Sequence, residues 1–250
     1  MDTTSEQYER AAEVLRQALS LFVMTGAGVS AESGVPTFRG ADGLWRNYSA
    51  ADLATPEAFS KDPALVWAWY HWRQGIILKA QPNAAHRALV ALEARFERFL
   101  LLTQNVDNLH FRAGSRRVLE LHGNIFRARC CRCGRKVPHT IEEDAARSLP
   151  ECACGGLLRP DVVWFGEAIP SDVWQESVDF LKEAQAALFC GTSGVVWPAA
   201  AIPGFVREQG IKTIEINPEP TPITSIVDLS LRAKAGKALP EIVRRIIEPG

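Results

Sequence analysis

The chain has 250 residues, a formal net charge of −1 and 47% hydrophobic residues. That is enough to bury one sizeable core and leave room for a small second module. So even a charge balance gives no electrostatic support for a nucleic-acid partner, and no run nears the roughly 18 consecutive apolar residues of a membrane span.

The opening stretch, MDTTSEQYERAAEVLRQAL, carries acids early and polar residues throughout, so it reads as an amphipathic helix and not as a secretory or transit leader. LFVMT (21–25) follows, a continuous apolar run of the kind that suits a strand buried on both faces. Residues 40–82 are rich in Trp and Ala and look helical, above all PALVWAWYHWRQGIILKA. A helix is expected over 85–98, then the strand FLLLT (99–103). Residues 127–158 hold Cys130, Cys131, Cys133, Cys152 and Cys154 and show little apolar periodicity. Beyond them come a helix over 171–183, the strand AALFCG (186–191), a helix over 199–209, the strand KTIEIN (212–217) and a closing helix over 239–247. Strand–helix–strand alternation argues for an α/β fold with a Rossmann-like, doubly wound parallel sheet. The two irregular stretches form a smaller inserted lobe, one part helical and one part metal-binding. In such a sheet the ligand sits at the carboxyl ends of the strands.

Two motifs carry chemistry on their own terms. Gly26-Ala27-Gly28-Val29-Ser30-Ala31 matches G-x-G-x-x-[GA] directly after a strand, where glycines let the backbone approach a pyrophosphate. The acid that usually ends the next strand is missing, so this is not an ordinary dehydrogenase. Cys130-x-x-Cys133 and Cys152-x-Cys154 form two close pairs beside turn-like glycines. Four thiolates held this way satisfy tetrahedral Zn²⁺, and a fully thiolate-closed site is structural because no position is left for substrate. Cys131 is a spare thiol, and Cys190 reads as a buried apolar residue. Clustered cysteines without a leader point to a reducing compartment, hence the cytoplasm.

The longer strings add a resemblance. GAGVSAESGVPTFRGADGLW (26–45), TQNVDNLH (103–110), LHGN (121–124), GTSGVVWPAA (191–200) and INPEPT (216–221) resemble, in order, the signatures of the sirtuin family of NAD-dependent deacylases. The second cysteine pair is one residue shorter than the commonest pattern of that family. The resemblance implies that 1–39, 83–126 and 159–250 form the NAD-binding domain, with a helical insertion over 40–82 and a zinc-binding insertion over 127–158. It implies that Gly26, Ala27, Gly28, Ser30, Glu32, Thr37, Phe38, Arg39 and Trp45 line the dinucleotide. Thr37 stands where most of the family has Asp. Gln104, Asn105 and Asp107 would meet the nicotinamide and its ribose. Gly191, Thr192, Ser193, Asn217, Glu219 and Ala235 would hold the adenosine half. His122, within Leu121-His122-Gly123-Asn124, would be the general base, while His110 would close the Asp107 turn.

Tyr70 and Arg73, three apart on one helix face, can offer a hydroxyl and a guanidinium to one carboxylate. They resemble the Tyr-x-x-Arg signature of class III sirtuins, which remove succinyl, malonyl and glutaryl groups, and small Ala54 would leave room for the longer chain. Val162, Val163, Trp164, Phe165, Gly166 and Glu167 resemble the clamp that adds a substrate peptide as an extended strand, with loose specificity for its flanks. The implied partners are proteins carrying acylated lysine. The acyl oxygen attacks the nicotinamide ribose, nicotinamide leaves, and free lysine and O-acyl-ADP-ribose result. The competing readings are a plain lysine deacetylase, a mono-ADP-ribosyltransferase and a non-catalytic zinc-ribbon module. Tyr70 and Arg73 argue against the transferase as the main activity; His122, Asn105 and Asp107 argue against the module.

Overall fold

In the computed structural model, which describes residues 3–37, 48–141 and 149–248, the apolar runs become a six-stranded parallel sheet. The chain runs through α1 (Thr3–Gln17), β1 (Ser20–Thr25), α2 (Ala27–Ala31), α3 (Ala50–Leu53), α4 (Pro56–Lys61), α5 (Pro63–Lys79) and α6 (Ala84–Arg95). It continues with β2 (Arg98–Thr103), α7 (Leu109–Ala113), β3 (Val118–Glu120), β4 (Gly123–Cys130), β5 (Lys136–Pro138) and β6 (Leu158–Val162). The last part holds α8 (Ser171–Leu181), β7 (Ala186–Cys190), α9 (Ile202–Glu208), β8 (Lys212–Ile216), β9 (Leu229–Leu231) and α10 (Ala235–Ile247).

The large sheet has the order β3-β2-β1-β7-β8-β9, so the direction of winding reverses between β1 and β7. Its central strands β1, β2, β7 and β8 are buried on both faces, and the period of two sorts their side chains. Leu21, Val23, Phe99, Leu101 and Leu188 enter a core shared with α1, α6 and α10. Phe22, Met24, Leu100, Leu102 and Phe189 enter the opposite core with Leu181 of α8 and Val206 of α9. A third core joins the α3–α5 helices to a small antiparallel sheet of order β5-β4-β6, through Phe59, Trp67, Trp69, Tyr70, Ile125 and Trp164. No helix among the described residues is long and apolar enough to cross a membrane.

Some boundaries differ from the expected ones. Helix α6 stops at Arg95, because Phe96 turns to extended backbone (φ −98°, ψ 128°) to enter the core before β2. Helix α10 starts at Ala235, ahead of the expected 239, and carries Pro240 inside it. Pro240 has no N–H, so one backbone bond, to the Gly236 carbonyl, is lost near the start of the helix. The three-residue strands β3 and β9 are too short to show any period, and they extend the sheet unannounced.

Candidate active site

The carboxyl ends of β1, β2, β7 and β8 meet where the strand order reverses, the place at which doubly wound sheets take ligands. Polar side chains sew these ends together. Gln104 Nε2 donates to Thr192 Oγ1 at 2.7 Å, and Asn217 Nδ2 donates to the Thr192 carbonyl at 2.7 Å. The glycine loop belongs to the same seam. The Gly28 N–H donates to the Gly191 carbonyl at 2.9 Å, and a Cβ on Gly26 or Gly28 would lie only 2.8 Å from that oxygen. These two positions need glycine first because two loops touch there.

Asn105 Nδ2 donates to the Gly26 carbonyl and to Ser30 Oγ, both at 3.1 Å, and the Ser30 hydroxyl is bonded to Asp107. Burial raises the Asp107 carboxyl above its usual range; Ser30, the Leu109 N–H and the charges of Arg73 and Arg112 oppose it. Amides, hydroxyls and one carboxylate thus converge at the crevice, a donor and acceptor set suited to ribose hydroxyls and a carboxamide. Ala27 and Ser193 are half-buried beside it. Two expected contacts are engaged in other bonds. Glu32 accepts from the Gly236 N–H at 2.8 Å, beside buried Ala235 at the start of α10. Glu219 is exposed and its carbonyl accepts from Arg232 Nη1. Thr37 is half-buried at the edge of the described loop, while Phe38, Arg39 and Trp45 lie outside the described residues.

His122 follows β3. Its Nδ1 lies 3.1 Å from the Gln104 carbonyl, which can only accept. The ring proton therefore sits on Nδ1, and Nε2 keeps its lone pair. Burial depresses the His122 pKa below 6.5, partly offset by that bond, so the ring is neutral at physiological pH. The next residue, Gly123, has φ 79°, and a Cβ there would lie 2.1 Å from the Asp161 carbonyl. Only glycine lets β4 approach β6 so closely beside the histidine. His110 does not close the Asp107 turn. Its Nε2 bonds Thr25 Oγ1 at 3.0 Å, and its ring lies 4.8 Å from that of His86. Asp107 makes its own turn by accepting from the Leu109 N–H at 2.9 Å.

On the smaller lobe, Tyr70 is fully buried and its hydroxyl accepts from Trp164 Nε1 at 2.8 Å. Burial pushes the phenol up to about 12, against the pull of Arg73, so it stays protonated. The Arg73 guanidinium lies 4.9 Å from the Trp69 ring centre and 6.0 Å from that of Tyr70. Buried Ala54 accepts from the Phe165 N–H at 2.9 Å. The Val163 N–H donates to the His122 carbonyl at 3.0 Å, so the 162–167 segment runs between histidine and aromatic helix. The Trp164 N–H binds Glu167, and that of Glu167 binds the Trp164 carbonyl, while Gly166 turns at φ 84°. Val162 ends β6 and pairs with Gly123.

The four sulfurs of Cys130, Cys133, Cys152 and Cys154 lie within 4.8 Å of one another. Three of their separations are 3.5, 3.6 and 3.8 Å. A tetrahedron with Zn–S of about 2.3 Å has edges of about 3.8 Å, so the set fits zinc. Cys190 is fully buried and burial raises its thiol to about 12, as an inert apolar residue requires.

The Sir2 family model matches residues 26–198. The chain belongs to the Sir2 family. It is 52% identical over 240 residues to an NAD-dependent protein deacylase of Pyrococcus furiosus, covering 94% of this chain and 96% of that one. It is 51% identical over 242 residues to a protein of the same name from Thermococcus kodakarensis, with 94% of each chain covered. Among solved structures, a Sir2 homologue in complex with NAD superposes with a TM-score of 0.90 at 47% identity, covering 96% of this chain and 93% of that one. A Sir2 complex with a p53 peptide and NAD⁺ gives 0.84 at 32% identity, covering 96% and 97%. The four cysteines are the zinc site of this Sir2 fold. Arg159 shows what residue patterns hide, since it sits beneath the 162–167 segment; Asn217, expected at the adenosine half, also pins two loops with its side chain. An arginine eight residues before its glutamate partner leaves no periodic signal.

Proposed function

We propose that this chain uses NAD to remove acyl groups from protein lysines and prefers succinyl- and malonyl-type groups to acetyl. Family membership and relatives named NAD-dependent protein deacylase support the general activity. The acyl preference rests on Tyr70. Its oxygen is taken by Trp164 Nε1, and among the described residues nothing accepts its proton. A neutral phenol in that state is a donor waiting for an acceptor, beside the Arg73 cation. A distal carboxylate would accept that proton next to a positive charge; an acetyl methyl would do neither.

Residues 1–39, 83–126 and 159–250 hold NAD in this reading, 40–82 supplies the acyl pocket with Ala54, and 127–158 holds a structural zinc. Gly26, Ala27, Gly28 and Ser30 receive the phosphates, and Gln104, Asn105 and Asp107 receive the nicotinamide ribose. Gly191, Thr192, Ser193 and Asn217 receive the adenosine half. Bound NAD would supply the ribose carbon that takes the acyl oxygen as nicotinamide leaves, and one water would be consumed in freeing the lysine. His122 Nε2 accepts the proton of a ribose hydroxyl, since Nδ1 is committed to Gln104. The 162–167 segment takes the peptide as an added strand. Mass spectrometry of products from NAD and a succinylated peptide tests the reading. Free lysine with O-succinyl-ADP-ribose is expected; ADP-ribosylated protein as the main product refutes it.

A further inference from the structure

A buried cation lies beneath the 162–167 segment, and the chemistry above makes no use of it. Arg159 on β6 is only 7% exposed. Its Nη1 and Nη2 donate to the two oxygens of Glu167 at 2.5 and 2.9 Å, and Nη2 also donates to the Val162 carbonyl at 2.9 Å. Glu167 accepts further from Arg129 Nη2 at 3.0 Å and from the Trp164 N–H at 2.9 Å. Burial would raise the Glu167 carboxyl, but these bonds win and hold it below its usual range. So Glu167, expected to meet the peptide, spends its carboxylate folding the segment, paired with Arg159 and Arg129 together.

The Arg159 guanidinium carbon also lies 3.2 Å from the centre of the Trp164 ring. A cation on an indole face holds the ring in place. It also polarises the ring N–H toward its acceptor. That N–H is the one donated to the Tyr70 hydroxyl, and Phe59 packs on the Trp164 ring at 5.3 Å between centres. One chain of contacts therefore runs from Glu167 through Arg159 and Trp164 to Tyr70. Each link acts on the next by a definite interaction: fork to carboxylate, cation to ring, N–H to oxygen.

We propose that Arg159 is a positioning residue that sets acyl specificity, fixing Trp164 so that the Tyr70 hydroxyl is held with its proton directed at the acyl group. This rests on the carboxyl-acyl reading of Tyr70 and Arg73. It gives the peptide segment and the acyl pocket a common brace, so a bound peptide strand and a recognised acyl group are set in register together.

The test is kcat/KM on succinyl and acetyl versions of one peptide, for wild type, Arg159→Lys and Trp164→Phe, each also in a Tyr70→Phe background. Arg159→Lys keeps the charge and loses the fork and the flat stack; Trp164→Phe loses only the N–H and part of the ring. Each should lower the succinyl-to-acetyl ratio about threefold to tenfold, the scale of one hydrogen bond. Neither should lower the ratio further once Tyr70 has lost its hydroxyl. ADP-ribose affinity by calorimetry should stay at the wild-type value. Should Arg159→Lys lose that affinity through misfolding, Trp164→Phe decides. A wild type that prefers succinyl, with variants that lose both activities equally and keep the ratio, overturns the role of Arg159 and spares the acyl reading. A wild type with no succinyl preference overturns both.

Discussion

Arg73→Met separates charge from packing in the proposed acyl pocket, because methionine keeps an apolar stem of similar reach. In the folded protein the guanidinium lies 4.9 Å from the Trp69 ring centre and 6.0 Å from that of Tyr70, and it shares its charge with Asp107. A charge-assisted contact to a succinyl carboxylate is worth about 1.5–3 kcal/mol, or roughly 10- to 150-fold. Two circumstances set the position within that range. Asp107 already draws on the same cation, so part of the gain on binding is an exchange of one carboxylate for another. The lower half of the range, about 10- to 40-fold, is therefore expected in kcat/KM for desuccinylation. The lost cation–π contact removes about 0.5–1 kcal/mol of stability, but equally for every substrate. Any disturbance of Asp107 would likewise touch both substrates, through its proposed place at the NAD ribose. The ratio of succinyl to acetyl kcat/KM on one peptide cancels these shared losses and isolates the carboxylate. An equal fall in both activities would refute the reasoning and reduce Arg73 to support for the helix.

Metal analysis should find one zinc per chain; Cys131→Ser should keep it, Cys133→Ser should lose it together with stability, and a zinc-free native protein would refute the site. His122→Ala should cut deacylation by about 10²-fold or more with little change in NAD affinity, and near-normal turnover would reassign the base. Since burial lowers the His122 pKa, the acid limb of kcat/KM should be centred below pH 6.5; a limb centred above 6.5 contradicts the effect of burial. Gly123→Ala should destabilise the fold by more than about 3 kcal/mol, because the added carbon meets a backbone carbonyl and not a movable side chain; an unchanged Tm refutes this. Burial lowers His86 to about 4 and His110 to about 3, so below pH 6.5 the unfolded chain binds protons that the folded chain refuses. Stability should thus be full above pH 6.5 and fall toward pH 4, by about 3 kcal/mol from His86 alone. Calorimetry with a flat Tm over that window, or a drop undiminished in His86→Gln, would count against it.

What was legible in the sequence follows from where each constraint lies along the chain. The strands beginning at Leu21, Phe99, Ala186 and Lys212 were readable because burial on both faces demands continuous apolar runs, and the crevice residues follow them directly. Gly26 and Gly28 were readable as a phosphate loop, and Gly191 as part of the adenosine half, but their first reason is different: two loops from opposite sides of the switch point touch there, and this is a tertiary fact. The cysteine pairs announced zinc because each ligand pair is local. The chain from Glu167 through Arg159 and Trp164 to Tyr70 joins residues up to 97 positions apart, with no repeat to mark it. Its parts read separately as a peptide clamp and an aromatic helix. Only the fold shows that the Trp164 N–H is committed to the Tyr70 oxygen. That commitment leaves the phenol a donor, and it gives the proposed pair of side chains on one helix face a direction.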